Sequence, residues 1–245
     1  MLLAEPPQSS YDLHFSVLGI PVRVHPLFWA VALLFGLSGN QKPLDMLFWV
    51  GTVFVSILVH EMGHALAARS YGWQPRITLH SFGGLASYHP TYHNTRSQIL
   101  ITAAGPGAGF LFAGLIIALI ALVGHRVVFG WQYGLLPLRY EGFESDQLNM
   151  LIADLLYVNI FWGLINLLPV YPLDGGQISR ELFALVSPAD SVRQSLWLSV
   201  IAAAAVAVLA FTRLNDKYIA IFFVYLAYTS YTTLQAFGGG GGRYR

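Results

Sequence analysis

The stretch PLDMLFWVGTVFVSILVHEMGHALAA, residues 43–68, carries an HExxH pattern inside an otherwise apolar run. Because about 20 apolar residues cross the core of a bilayer as a helix, this run is long enough to span a membrane. His60 and His64 are four residues apart, so both imidazoles lie on one face of that helix. An ionised Glu61 within a span is costly unless its charge is compensated. The stretch therefore predicts a metal site inside the membrane.

The composition of the whole chain agrees with a membrane location. Of 245 residues, 56% are apolar and 10% are charged, whereas soluble domains carry about 25% charged residues. The net charge of +1, without a basic stripe, excludes a nucleic-acid partner. The chain has no cysteine, which excludes disulfides, thiolate ligands and cysteine nucleophiles. We predict an integral membrane protein whose partner is the lipid bilayer.

Apolar stretches on either side of residues 43–68 predict an all-α polytopic membrane protein with about six transmembrane helices. The predicted spans are residues 24–39, 43–68, 98–123, 147–168, 194–211 and 218–237.

Two connecting segments differ in amino-acid composition from the predicted spans. Residues 74–88 (QPRITLHSFGGLASY) are rich in β-formers and predict a short membrane-associated strand or hairpin between helices 2 and 3. Residues 125–146 predict a polar loop. We expect one intramembrane domain over residues 1–237, followed by a flexible glycine-rich tail at 238–245. Lys and Arg are more numerous on the side that holds both termini, which predicts cytoplasmic termini.

A catalytic zinc ion needs a third protein ligand and an open position. The best candidate is Asp174, in the sequence NLLPVYPLDGG at residues 166–176. Pro169 and Pro172 are expected to end the fourth span, and the two glycines after Asp174 permit a sharp turn. Since the second and fourth spans run in the same direction, Asp174 is expected at the same end as the histidines. Zinc would balance the charges of Glu61 and Asp174.

This pair of motifs resembles that of the site-2 protease family, the intramembrane zinc metalloproteases. The resemblance extends to FSVLGIPVRVHPLFW (15–29), FGGLASY (82–88) and AAGPGAG (103–109), which are similar to the family's entry to the first helix, its substrate strand and its small-residue helix. Because these 245 residues leave no room for a PDZ or CBS domain, the chain resembles the minimal six-helix subgroup.

The resemblance implies that one Zn²⁺ per chain is held by His60, His64 and Asp174, with Glu61 as general acid and base. It also implies that Asn166 holds the substrate backbone. The implied reaction is hydrolysis of a peptide bond within or near the transmembrane segment of a membrane-tethered protein, such as an anti-sigma or pro-sigma factor. The implied location is a bacterial inner membrane.

Strand capture of the substrate is one interpretation of residues 81–88. An unwound substrate segment would pair with the strand edge, and Gly83 and Gly84 would permit close backbone approach. An ordinary connecting hairpin is equally compatible with the sequence. Asn159 lies on the same helix face as Asn166, where a water path and a helix–helix hydrogen bond are both open.

Other functions also remain open at this point. A polytopic metal-ion transporter could use His60, His64 and Asp174 as a transit site, although no internal repeat is visible. Another class of zinc protease would take its third ligand from a downstream glutamate, and the candidates are Glu141, Glu144 and Glu181. A serine protease is disfavoured because no GxSxG motif occurs. His80, His89 and His93 are expected to be solvated or hydrogen-bonded.

Overall fold

The structure, a computed structural model, describes residues 5–37, 42–81, 83–90, 94–130 and 138–239. The helices are α1 (Pro26–Gly36), α2 (Pro43–Ser70), α3 (Thr95–Leu122), α4 (Asp146–Asn166), α5 (Asp174–Val186), α6 (Ser191–Thr212) and α7 (Lys217–Gly239). The strands are β1 (Leu13–Val17), β2 (Ile20–Val24), β3 (Arg76–His80), β4 (Gly83–Ser87), β5 (Val127–Phe129) and β6 (Leu138–Tyr140). The end of the predicted tail, residues 240–245, lies outside the described residues.

The mostly helical membrane fold is confirmed, with fewer clear spans than the sequence predicted. The helices α2, α3, α4 and α6 are long and apolar enough to cross a membrane. By contrast, α1 has only 11 residues, about half of the length that a bilayer core requires. Helix α7 has 23 residues, but its second half contains Tyr and Thr rather than a continuous apolar run. The prediction of about six spans therefore corresponds to four clear ones among seven described helices.

The described chain forms two compact units. The first comprises Met1–Thr91 and Ala104–Leu164, and the second comprises Tyr92–Ala103 and Ile165–Arg245.

A four-stranded sheet in the first unit has the order β1-β2-β3-β4. Strands β1 and β2 form a hairpin whose turn residues, Leu18 and Gly19, have φ angles of 50° and 77°. Positive φ at both turn positions is typical of the tight hairpin turn that matches strand twist. Strand β2 pairs in parallel with β3, and β3 pairs antiparallel with β4. The hairpin at 74–88 is confirmed, whereas β1 and β2 were not predicted.

The sheet packs on the helix that carries the HEMGH sequence. Apolar side chains of β2 and β3 form one buried cluster with side chains of α1 and α2, and burial of such side chains drives the association. The cluster consists of Ile20, Val22, Val24, Phe28, Ile57, Met62, Ala65, Ile77 and Leu79. The strands β3 and β4 thereby pack against α2.

A second buried cluster of the first unit joins α3, α4 and β6. Strands β5 and β6 form a short antiparallel ladder, so residues 125–146 are not simply the polar loop that the sequence predicted. The Asn149 side chain accepts a hydrogen bond from the Phe143 N–H (2.8 Å) and donates one to the Phe143 carbonyl (2.7 Å). This amide holds the chain that enters α4.

The second unit contains α5, α6 and α7, with α6 packed against both of the others. The segment before α5 is fixed at Tyr171, whose N–H donates to the Ser199 hydroxyl (3.0 Å) and whose carbonyl accepts from the Ser230 hydroxyl (3.2 Å). A sharp turn was expected at Gly175 and Gly176, but both lie in the first turn of α5. A Cβ at Gly175 would lie 2.2 Å from the Leu167 carbonyl oxygen. The glycines therefore serve close backbone packing.

Candidate metal centre

Helix α2 brings two imidazoles together inside the first unit. His60 and His64 are 4% and 7% exposed, and their Nε2 atoms are 3.2 Å apart. Two nitrogens that bind one tetrahedral zinc at 2.0–2.1 Å would be separated by about 3.3 Å. The buried pair therefore has the spacing of two ligands of a single ion, as the four-residue separation on α2 predicted.

Glu61 lies on the same helix turn and is also buried. Gly84 of β4 lies directly against it, because a Cβ at Gly84 would be 2.2 Å from the Glu61 Cγ and 2.5 Å from its Oε1. Gly83 has a φ of 117°, which side chains rarely adopt. A Cβ there would also contact the Trp162 ring at 3.3 Å. The backbone conformation thus favours glycine at position 83, whereas Gly84 is the one of the two that lies against the carboxylate.

Helix α3 approaches the histidine pair equally closely. A Cβ at Gly105 would lie 2.1 Å from the His64 Nε2, and a Cβ at Gly63 would lie 2.2 Å from the Ala104 carbonyl oxygen. The sequence identified this segment as similar to a small-residue helix and gave no signal that Gly105 faces a ligand. The contact shows that Gly105 limits where the His64 ring can lie.

Asp174 is the first residue of α5 in the second unit, and it is 7% exposed. A carboxylate in the first turn of a helix is favoured by the helix dipole. His60, His64 and Asp174 are each buried, and each offers one atom that could bind a metal ion. A His-His-Asp donor set matches the nitrogen and oxygen ligands that catalytic zinc accepts, so these residues fit zinc.

Two asparagines of α4 are buried as well. Asn166, the last residue of α4, is 8% exposed. Asn159 is 3% exposed and donates through Nδ2 to the Ser56 hydroxyl of α2 (2.9 Å) and to the Leu155 carbonyl (2.8 Å). Of the two readings left open for Asn159, the hydrogen bond to a neighbouring helix is confirmed.

The remaining histidines and glutamates differ in burial. His80 is buried rather than solvated, and this burial lowers the pKa of its imidazole. His89 is exposed, and His93 lies outside the described residues. Among the glutamates considered as a third ligand, Glu141 and Glu144 are exposed. Glu181 is buried beside the Arg180 guanidinium at 3.1 Å.

Comparison with known proteins connects this arrangement to a family. Residues 48–209, which include the HEMGH sequence and Asp174, match peptidase family M50. The chain belongs to peptidase family M50. This membership confirms the resemblance to the site-2 proteases and favours a hydrolase over a metal-ion transporter.

Relatives of this M50 chain are found in bacteria and archaea. It is 29% identical over 175 residues to Stage IV sporulation protein FB of Bacillus subtilis. The aligned residues make up 69% of the chain and 50% of that protein. It is 27% identical over 174 residues to Zinc metalloprotease MJ0392 of Methanocaldococcus jannaschii, with 69% and 44% covered. The chain thus spans half or less of the length of these curated relatives.

The fold is that of a solved site-2 protease. The Site-2 Protease from Methanocaldococcus jannaschii superposes with a TM-score of 0.56 over 91% of the M50 chain and 95% of the solved chain. At 21% sequence identity, this similarity bears on the fold alone.

Proposed function

We propose that this M50 chain is an intramembrane zinc metalloprotease that hydrolyses a peptide bond within or near the transmembrane segment of a membrane-tethered protein. The observation that carries the proposal is the buried pair of imidazoles, 3.2 Å apart, with Glu61 on the same turn of a membrane-spanning helix. In an apolar span such groups are costly to keep without a function.

The proposed ligands of the single Zn²⁺ are His60, His64 and Asp174. When bound, zinc supplies Lewis-acid polarisation of the scissile carbonyl and of water. The two imidazoles must be neutral to act as ligands. Because Glu61 and Asp174 carry opposite charge to the ion, the loaded site is neutral overall. This compensation makes two carboxylates tolerable at membrane depth.

Glu61 is the proposed general acid and base. Its carboxylate takes a proton from the attacking water and later delivers a proton to the leaving amine. The Glu61 side chain is buried and lies against Gly84 of β4. Asn166 is proposed to hold the substrate backbone through its amide, which offers both a donor and an acceptor.

Strand β4 is the proposed docking edge for the substrate. It is the last strand in the order β1-β2-β3-β4, and an edge strand offers backbone N–H and C=O groups to an added strand. A substrate segment unwound along this edge would reach Glu61, since Gly84 contacts that side chain. Gly83 and Gly84 leave the approach to the carboxylate unobstructed. Of the two interpretations of this segment, these contacts favour substrate capture over a connecting hairpin.

Glu61→Gln tests the proposal. The variant is expected to retain zinc, measured by elemental analysis of purified protein, and to lose cleavage of single-pass membrane proteins by about 10³-fold or more. The exposed Glu144→Gln serves as the matched control and should cleave normally. Cleavage by zinc-loaded Glu61→Gln at the wild-type rate would contradict the assignment of Glu61.

We further propose that the substrate is a membrane-tethered regulator such as an anti-sigma or pro-sigma factor, in a bacterial inner membrane, with residues 1–237 acting as one protease domain. Mass spectrometry of membranes from cells that express wild-type protein or Glu61→Gln should show uncleaved transmembrane stubs only with the variant.

Cytoplasmic termini are also proposed, and reporter fusions at each end should be active on the cytoplasmic side. Periplasmic activity of either fusion contradicts that orientation.

A further inference from the structure

Polar residues continue along α2 beyond the histidine pair. Thr52, Ser56, His60 and His64 are spaced by four residues, and all four side chains are at most 7% exposed. Side chains four residues apart share one helix face. They form a stripe, here called the α2 polar stripe, inside a helix apolar enough to cross a membrane. The site chemistry uses the two histidines and gives the two hydroxyls no task.

Two buried oxygen atoms beside the stripe lack a hydrogen-bond partner within the part of the chain that the structure describes. They are the Thr52 Oγ1 and the Asn159 Oδ1, and both residues are at most 3% exposed. Asn159 itself is held at the stripe, because its Nδ2 donates to the Ser56 hydroxyl at 2.9 Å. Its carbonyl end is therefore fixed in position with nothing to accept from.

Two other buried hydroxyls inside helices of this chain bond within their own helix. Ser179 donates to the Gly176 carbonyl (2.8 Å), and Ser199 donates to the Ser195 carbonyl (2.7 Å). Such bonding to a carbonyl three or four residues earlier is the usual solution for a hydroxyl inside a helix. The Thr52 hydroxyl does not adopt it. It is thus available to an external partner.

The spacing along α2 suits water as that partner. Four residues of helix rise about 6 Å along the axis, which is too far for a direct bond between hydroxyls. Two waters in series, joined by hydrogen bonds of about 2.8 Å, can bridge this distance. Buried waters in proteins typically occupy such places and satisfy otherwise unpartnered polar groups.

Helix α3 faces the stripe with glycines. A Cβ at Gly109 would lie 3.4 Å from the Asn159 carbonyl oxygen and 3.6 Å from its Oδ1, while a Cβ at Gly105 would meet the His64 ring. These two glycines are also four residues apart, so α3 presents backbone rather than side chains both at Asn159 and at the metal ligand.

We propose that Thr52, Ser56 and Asn159 bind ordered water and form a path along α2 that supplies the hydrolytic water to His60 and Glu61. The supply role rests on the proposed protease function, because each hydrolysis consumes one water at a site within an apolar span. The binding of water itself follows from the unpartnered oxygens alone.

The direct test is an experimental structure of the full-length, zinc-loaded Glu61→Gln protein in lipid nanodiscs, at a resolution that shows ordered water. We expect water within hydrogen-bond distance of the Thr52 Oγ1 and of the Asn159 Oδ1. Absence of water at both oxygens, in a map that shows buried water elsewhere, overturns the proposal.

The variant Thr52→Val provides a second test, because valine has the shape of threonine without the hydroxyl. If the hydroxyl binds water, turnover should fall by about fivefold to tenfold, the effect of roughly one hydrogen bond. The substrate KM and the zinc content should stay unchanged, and the melting temperature should not rise. Thr52→Ser should recover most of the lost turnover. Ile57→Val, a buried change on the next turn of α2, controls for altered packing.

If the α2 polar stripe binds no water, Thr52→Val should give the opposite result. Removing an unsatisfied buried hydroxyl then raises the melting temperature and leaves turnover unchanged, which overturns the proposal. Water at the stripe without any effect of Thr52→Val on turnover overturns the supply role. If the wild-type protein cleaves no membrane substrate, the protease function fails, while the water positions and the sign of the melting change still decide whether the stripe binds water.

Discussion

Two glycines contact different groups of the candidate site, so substitutions there can test proton transfer and metal binding separately. Gly84 lies against Glu61, the proposed proton carrier, whereas Gly105 lies against His64, a proposed metal ligand. A side chain at either position must displace the group that it meets. The first displacement affects proton transfer and the second affects metal binding, so the two substitutions should give different phenotypes.

Gly84→Val is expected to lower cleavage by about 100-fold while the zinc content stays unchanged, since a misplaced catalytic group loses its near-attack geometry. The Cβ would lie 2.2 Å from the Glu61 Cγ and must push the carboxylate away. Cleavage assays and elemental analysis on the same preparation measure the two effects. Normal cleavage by Gly84→Val would favour an ordinary connecting hairpin at this position.

Gly105→Ala is expected to weaken zinc binding by about tenfold, as is usual when a residue that orients a ligand is changed. The added methyl would lie 2.1 Å from the His64 Nε2. The matched control is Gly107→Ala on the same helix, where a Cβ would have no atom within 4 Å. Competition with a chelator of known affinity measures the difference. Equal zinc affinities for the two variants would show that the His64 ring tolerates the methyl.

At the scale of elements, residues 5–12 are fixed to the sheet by an ion network. Arg23 of β2 donates to the Asp12 carboxylate (3.0 Å) and to the Glu5 carboxylate (3.1 Å). Glu5 also accepts a hydrogen bond from the Thr78 hydroxyl of β3 (2.7 Å). That hydrogen bond lowers the pKa of Glu5, and one from the Ser9 backbone lowers the pKa of Asp12. The segment thus bridges β2 and β3.

The lowered pKa values of Glu5 and Asp12 predict that acid weakens the attachment of residues 5–12 to the sheet. A carboxyl whose pKa is lower in the folded state binds fewer protons folded than unfolded, so its stabilisation is complete above its ordinary pKa and is lost as the pH falls below it. For Glu5 the loss should begin near pH 4.5. Melting temperatures of wild-type protein and Glu5→Gln, compared between pH 7 and pH 3, should converge at low pH. The exposed Glu144→Gln should run parallel to wild type; a constant gap for Glu5→Gln would contradict the network.

The helices and the histidine pair were predictable because local rules decide them. Hydropathy gives α2, α3, α4 and α6, and helical spacing alone places His60 beside His64. Helix α5 was missed since Gly175 and Gly176 have low helix propensity, and tertiary packing overrides it.

Contacts between residues far apart in the chain could not be predicted from the sequence. Strand β2 pairs with β3, more than 50 residues further along the chain, so residues 20–24 looked like the entry to a helix. The contact of Gly105 with His64 depends on how α2 and α3 pack, which no local pattern reports.

At the scale of the whole molecule, zinc should stabilise the folded chain. A ligand that binds only the folded state adds about 2.7 kcal/mol when its concentration is 100 times its Kd. We expect a chelator to lower the melting temperature of wild-type protein and of Glu61→Gln, but not of Asp174→Ala, which lacks a proposed ligand. Glu181→Gln should behave as wild type in its response to the chelator. If the chelator lowered the melting temperature of Asp174→Ala but not of Glu181→Gln, Glu181 rather than Asp174 would be the third ligand.

The parallel pairing of β2 with β3 also bears on biosynthesis. Residues 20–24 leave the ribosome well before residues 77–79, and the chain between them includes α1 and α2. The sheet, and with it the strand beside Glu61, can therefore be completed only after the HEMGH helix has been synthesised and delivered to the translocon. A nascent chain would therefore contain His60 and His64 before strand β4, the proposed docking edge, is in place.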